Sequence, residues 1–195
     1  MLKTILMIFC VAHSVFAAAK YTLNCRADLL KKSSEVALMQ VGIRESPNNR
    51  GKMIERYLAS VGLKQGHPYC AAGQYWCFAQ ACRLLKIPVK YIPLPRTALA
   101  SVMFNYGKMN GKRVKFIPAA DDLIVWQSGK TIFGHIERII QVGKRGWVRT
   151  IGFNTVKYIN GIRFEGVFIH RRNVFGFLGR MHIKGIIGFN TGRRK

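Results

Sequence analysis

GHPYCAAGQYWCFAQAC, residues 66–82, is the stretch that decides the fold of this chain. It holds no Pro after Pro68 and no Gly after Gly73, and its small residues share one broad face, which predicts a closely packed helix beginning at about Cys70. A cysteine there lies among unpaired amides at the positive end of the helix dipole, and both stabilise a thiolate. The same amides can hold the oxyanion that forms when a carbonyl is attacked. Cys70 is therefore the predicted nucleophile.

Helices precede strands along the chain, and the change falls near residues 88–95. Upstream, Asn49 is a candidate cap for a helix whose apolar residues recur at helical spacing until Gly62. Downstream, β-rich runs and a turn at 144–146 predict an antiparallel meander over residues 123–126, 135–142, 147–153 and 166–171. This order predicts an α+β fold, with N-terminal helices packed on a C-terminal antiparallel β-sheet.

Two polar side chains at strand ends are predicted to meet Cys70. His135 begins a strand after Gly134, whose missing side chain leaves room for substrate, and Asn154 ends the following strand. The start of one antiparallel strand lies beside the end of the next, so the two side chains are expected to be neighbours. We therefore expect His135 to be the general base and Asn154 to fix its tautomer. His67, three residues before Cys70, is a rival base.

A zinc site is the metal alternative for the same region, with His67, Cys70, Cys77 and Cys82 as ligands. The five-residue step from Cys77 to Cys82 turns those two side chains apart on a helix. We expect no metal at this site.

Residues 66–77 resemble the P-[WY]-C-A-A…W-C segment of CHAP-type peptidoglycan hydrolases, a group within the papain-like, NlpC-type superfamily. Further segments resemble that family in the same order: its V-G-x-x-E…N-x-G lead-in at 41–51, D-[LI]-[IV]-x-[FW] at 122–126, G-H-[VI] at 134–136, G-N-T at 151–155 and G-V…R-R at 166–172. The resemblance, over roughly residues 36–173, implies a papain-like α+β fold with a triad of Cys, His and a polar residue. It implies an N-acetylmuramoyl-L-alanine amidase or a peptidase of stems and cross-bridges, without metal or organic cofactor.

Some positions of the resemblance concern the substrate, and we expect contacts with it from Tyr69, Trp76, Gly134 and Glu45. Asp121 replaces the family's usual Gly and Glu137 its usual small residue, and we expect both changes to alter the substrate groove. The family often has E-G-N where this chain has Gly-Phe-Asn at 152–154. The sequence IGFNT occurs at 151–155 and again at 187–191, and Asn154 is preferred to Asn190 because it follows His135 by one strand.

The N-terminus predicts export. A basic start at Lys3, a short apolar run and small residues at A-x-A spacing indicate a signal peptide cleaved after Ala17 or Ala19. The expected product is secreted or periplasmic, with no transmembrane span. Four cysteines remain, and in an oxidising compartment Cys25 could pair with Cys77 or Cys82. The predicted division is a signal peptide at 1–19, a hydrolase domain at 20–173 and a basic, glycine-rich extension at 174–195.

The net charge of the chain indicates what kind of partner the protein binds. The chain of 195 residues has 32 Lys and Arg against 8 Asp and Glu, a formal net charge of +24 that attracts polyanions. The basic residues are scattered and match no nucleic-acid motif, so anionic envelope polymers are expected and a specific nucleic acid is not. The protein is expected to be a monomer. Alternatives are a non-catalytic cationic envelope-binding or antimicrobial protein, a nucleic-acid binder with a structural Cys70, and transfer of the acyl group to an amine.

Overall fold

The computed structural model describes residues 18–192, so residues 1–17 of the predicted signal peptide and residues 193–195 lie outside it. Four α-helices occur in the described part: α1 (Ala27–Leu38), α2 (Lys52–Ser60), α3 (Cys70–Leu84) and α4 (Ala100–Asn110). The strands are β1 (Ala19–Asn24), β2 (Lys112–Val114), β3 (Leu123–Gln127), β4 (Gly134–Val142), β5 (Trp147–Ile159), β6 (Ile162–Asn173) and β7 (His182–Asn190). The α+β class predicted from the sequence is confirmed.

The strands form one sheet in the order β2-β1-β7-β3-β4-β5-β6. The predicted meander is the antiparallel run β3 to β6, and the 144–146 turn joins β4 to β5. The sheet is mixed rather than purely antiparallel, because β1 and β7 pair in parallel. Helices are also interleaved with strands, since β1 precedes every described helix and a short strand follows α4.

The two ends of the described chain therefore meet inside the sheet. β7 lies between β1 and β3, so residues 182–190 of the expected C-terminal extension are a central strand. Its pairing with β1 starts at Ala19. Cleavage of a signal peptide after Ala17 would leave β1 whole, whereas cleavage after Ala19 would remove its first residue.

Alternation along the strands separates two apolar layers. On one face, Leu123, Val125 and Ile136 pack with buried residues of α1, α3 and α4. On the other face, Ile124 and Trp126 pack with Ile139, Val148, Val174 and Ile186. A third cluster joins α2 and α3 to β5 and β6. The sheet thus supports α3 on one face. The pairing of β4 with β3 and β5 fixes the position of β4, the strand that carries His135.

Two local expectations change. Gly51, not Asn49, precedes α2, and no side chain caps that helix, because Asn49 has φ +56° and its Oδ1 already accepts a hydrogen bond from Asn154. Cys25, Cys70, Cys77 and Cys82 are all buried and unpaired in the described chain. No helix within residues 18–192 is both long and apolar enough to cross a membrane.

Candidate active site

Cys70 is the first residue of α3, as the sequence predicts. No described side chain caps this helix, and the first backbone bond runs from the amide of Gly73 to the carbonyl of Tyr69 at 2.8 Å. The amides of the first turn are therefore free for an acceptor. The Cys70 sulfur lies 4.0 Å from the carbonyl oxygen of Gly134, the residue before His135. The predicted nucleophile and the segment that carries the predicted base are thus close together.

His135 stands near the start of β4, buried beside Trp126 with ring centroids 6.2 Å apart. Its Nε2 lies 3.1 Å from Oε1 of Glu137. Side chains two residues apart on a strand share a face, which explains the contact. The Cys70 thiol also raises the pKa of His135, which indicates that the sulfur is near the ring. The imidazole is therefore close to both a sulfur and a carboxylate.

Glu137 is fully buried, and its carboxylate is hydrogen-bonded by three side chains, those of His135, Thr150 and Arg172. Arg172 binds it with both edges of the carboxylate engaged, Nε to Oε2 at 3.0 Å and Nη2 to Oε1 at 2.6 Å. Thr150 donates its hydroxyl to Oε2 at 2.5 Å. Gly152, opposite Glu137 on β5, makes the space, because a Cβ there would lie 2.8 Å from Oε1. Such a bonded carboxylate is a rigid orienting group.

The charges of this pair stabilise each other. Burial alone lowers the pKa of His135, but hydrogen bonds with Cys70 and Glu137 outweigh it and raise that pKa to about 9. Burial alone raises the pKa of Glu137, but the bonds from His135 and Arg172 hold it well below its ordinary value. An imidazolium facing a carboxylate is therefore the favoured state near neutral pH. Burial lowers the pKa of neighbouring His170 to about 4, so it stays neutral beside them.

Asn154 has a different role from the one expected. It lies in a β-bulge of β5 with φ +57°, and its Oδ1 accepts the backbone N–H of Tyr69 at 3.3 Å. Its Nδ2 donates to Oδ1 of Asn49 at 2.8 Å. The hydrogen-bond partner of the His135 ring is Glu137, a carboxylate on the same strand, and not Asn154. Asn154 instead holds Tyr69, the residue before Cys70.

The predicted substrate contacts are less accessible than expected from the sequence. Tyr69 is fully buried and donates its hydroxyl to Oε2 of Glu45 at 2.7 Å. Trp76 lies in the core against Tyr57, with ring centroids 5.1 Å apart. Neither aromatic ring presents a surface to a substrate, because helical spacing from Cys70 turns Trp76 inward and the hydroxyl of Tyr69 is already bonded. Glu45 is half-buried, and burial raises its pKa despite the Tyr69 bond.

Gly134 is needed for a reason other than substrate space. A Cβ at this position would lie 2.5 Å from the carbonyl oxygen of Trp126, so the neighbouring strand occupies the space. Exposed apolar residues that the sequence did not single out flank this position along the chain: Ile132 and Phe133 precede Gly134, and Leu99 precedes Ala100, whose Cβ lies 3.7 Å from where a Gly134 Cβ would be. Ser101 of α4 links the two segments by donating its hydroxyl to the carbonyl of Ile132 at 2.8 Å. We call these three residues the apolar rim.

Metal ligands are not gathered at this site. Within residues 18–192, no three or more His, Cys, Asp or Glu side chains are placed to hold a metal ion.

Sequence reasoning did not identify three residues of the site as partners of His135 or of each other: Glu137, Arg172 and Thr150. The signal for Glu137 was present, because His-x-Glu on a strand places both side chains on one face.

Comparison with family models, with curated proteins and with solved structures finds no match for this chain.

Proposed function

We propose that this chain is an exported cysteine hydrolase of the CHAP type that cleaves amide bonds of peptidoglycan. The observation that carries the proposal is the succession Cys70, His135, Glu137, from an uncapped helix start to a buried, doubly bonded carboxylate. This is the arrangement that nucleophilic catalysis by a thiolate requires. The papain-like fold belongs to the same proposal, supported by the helix that presents Cys70 to the strand that carries His135.

The chemistry follows from these positions. His135 takes the proton of the Cys70 thiol, the sulfur attacks the carbonyl carbon, a C–S bond forms, and the carbonyl π electrons move to oxygen. The free amides at the start of α3 stabilise that oxyanion. The intermediate collapses as the C–N bond breaks and the nitrogen takes the proton of His135. The ring then accepts a proton from water, whose oxygen attacks the thioester, and a carboxylic acid leaves Cys70 free.

Glu137 keeps the ring ready for both proton transfers. Its charge favours the imidazolium that must protonate the departing amine, and its bond to Nε2 holds the ring and leaves Nδ1 for the exchange of protons with Cys70 and the amine. Arg172 and Thr150 keep the carboxylate from turning. Asn154 contributes from the other side by fixing the backbone of Tyr69, which positions the first amides of α3.

The substrate class is supported by the motif resemblance and by charge. The resemblance indicates the N-acetylmuramoyl-L-alanine bond or a bond of the stem or cross-bridge peptide. The apolar rim offers contacts for aliphatic side chains and methyl groups of such peptides. The net charge of +24 would hold the enzyme on an anionic envelope, and salt should weaken that attachment.

The test is release of new amino groups from purified peptidoglycan. Wild-type protein should release them, and Cys70→Ala should reduce the rate to background. Cys82→Ala is the matched control, because Cys82 is also a buried, unpaired cysteine of α3 and lies roughly 18 Å further along that helix than Cys70. Equal release by wild type and Cys70→Ala would exclude the cysteine mechanism. No release by wild type from any peptidoglycan type would favour a non-catalytic envelope-binding protein.

A further inference from the structure

A second concave site lies at the edge of the sheet formed by β5 and β6. It is a cavity of about 550 Å³, a size typical of ligand sites. Four of its residues are cationic and come from three chain segments: Arg44, Arg149, Lys157 and Arg171. None of the described residues that line it is acidic. We call it the cationic cavity.

The four cations have no internal counter-charge. Within residues 18–192, none of them lies within 4.0 Å of a carboxylate oxygen, the distance that defines an ion pair. Arg172, the next residue on β6, is instead neutralised by Glu137. Like charges held together repel one another, and a bound anion would remove that repulsion.

Two of the guanidinium groups are already positioned. The guanidinium carbon of Arg44 lies 3.7 Å from the ring centre of Phe164. That of Arg171 lies 4.2 Å from the ring centre of Trp147. Stacking fixes the plane of each group and leaves its N–H edges free, and those edges match phosphate oxygens in a bidentate manner. Less side-chain freedom is therefore lost when a phosphate binds.

The cavity and the candidate active site adjoin each other on β6. Arg172 bonds to Glu137, while its neighbour Arg171 lines the cavity. His170, between the two regions, lines the cavity and is close to Glu137 and His135. Cys70, His135 and Glu137 are not among the residues that line the cavity.

We infer that the cationic cavity binds a phosphorylated saccharide through two or more phosphate groups. Four cations around one cavity fit clustered phosphates better than a single anion. The remaining wall includes apolar side chains of Ile159, Phe168 and Ile169, which suit the C–H faces of a sugar ring. The source of the sugar phosphate, a soluble polymer or a lipid-linked headgroup, does not change this chemistry. The inference does not depend on the proposed hydrolysis.

The test is isothermal titration calorimetry of Cys70→Ala protein at fixed ionic strength, so that hydrolysis plays no part. The probes are glucose bisphosphate, inorganic phosphate, glucose and oligothymidylate. Glucose bisphosphate should bind most tightly and glucose should not bind. The double variant Arg149→Gln/Arg171→Gln should weaken bisphosphate binding more than about tenfold, the loss expected from one or two charge-assisted contacts.

The matched control is Lys31→Gln/Lys64→Gln, which removes the same charge from two exposed positions outside the cavity. It should change the affinity less than about twofold, since screened charges act weakly over distance. Thermal unfolding checks that each variant is folded, and the single change Lys157→Gln repeats the test if the double variant is not. Equal weakening by both double variants would overturn the site. If oligothymidylate binds more tightly than glucose bisphosphate, and Arg149→Gln/Arg171→Gln abolishes that binding, the ligand is a nucleic acid and the inference of a phosphorylated saccharide is wrong.

Discussion

Replacing Glu137 with Gln removes one negative charge and keeps the size of the side chain, so it isolates the electrostatic role of this residue. The rise in the pKa of His135 from 6.5 to about 9 corresponds to about 3 kcal/mol in favour of the protonated ring, shared between Cys70 and Glu137. With roughly half of that lost, the pKa should fall by about one unit. A weakly held ring should also reduce kcat/KM by about 10²- to 10³-fold, the size of a general acid–base contribution.

The assay is the pH profile of kcat/KM for amine release from peptidoglycan. The alkaline limb of the wild type should lie near pH 9, where the proton of His135 is lost. In Glu137→Gln it should move about one pH unit lower. Glu55→Gln is the control, because Glu55 is exposed and forms no ion pair with another described residue. Wild-type kcat/KM and an unmoved alkaline limb in Glu137→Gln would refute the role of this carboxylate.

Three other predictions concern positioning and stability. Asn154→Ala should lower kcat about tenfold without moving the alkaline limb of the pH profile, because Asn154 holds the backbone of Tyr69 and is not bonded to His135. A shift of the alkaline limb in this variant would contradict that role. Asp122→Ala should cost about 3–5 kcal/mol in urea unfolding, since it leaves the ammonium of Lys20, 2.5 Å from Oδ2, buried and unpaired; a loss below about 1 kcal/mol would contradict it. The unfolding free energy should fall as pH rises from 6.5 through about 9, because the unfolded chain loses the proton of His135 before the folded protein does. It should also fall as pH drops below 4.5, because Glu137 then binds a proton in the unfolded chain but not in the folded protein. Urea unfolding across pH should show neither slope in a variant that lacks both side chains, and unchanged slopes would contradict the assignment.

The sequence predicts well where local signals are strong. The start of α3 at Cys70 and strands β3 to β6 follow from small-residue spacing, turn signals and β-rich runs. It does not predict β7, because a run of basic and glycine residues near the C-terminus resembles an extension. The parallel pairing of β7 with β1 joins positions more than 160 residues apart, and no local pattern encodes such a contact.

The repeated sequence IGFNT shows that a sequence pattern does not reveal which groups pack against it. In the first copy, Gly152 leaves space for the carboxylate of Glu137, and a Cβ would lie 2.8 Å from it. In the second copy, Gly188 leaves space for the ion pair of Lys20 and Asp122, with a Cβ 2.6 Å from Lys20 and 2.9 Å from Asp122. Both glycines admit a buried charged group from another strand. The repetition was visible in the sequence, but its meaning depends on which strand lies opposite.

The residues of the candidate site also differ in how clearly the local sequence indicates them. Cys70 and His135 have local signals, one at a helix start and one at a strand start. Arg172 of β6 reaches Glu137 of β4 across the one strand between them, β5, and this contact depends on strand register rather than on sequence spacing. Asn154 was placed correctly near the site, but its partner is the backbone of Tyr69, since the bulge turns its side chain toward the helix start.

The central claim is that Cys70 forms an acyl enzyme with peptidoglycan peptide. Intact-protein mass spectrometry after rapid acid quenching measures that species directly, and digestion locates it. We predict an added acyl mass on the peptide that contains Cys70, removed by hydroxylamine and absent from Cys70→Ala. Release of peptidoglycan fragments at the same rate by Cys70→Ala, with no adduct on the wild type at any time, would contradict the account.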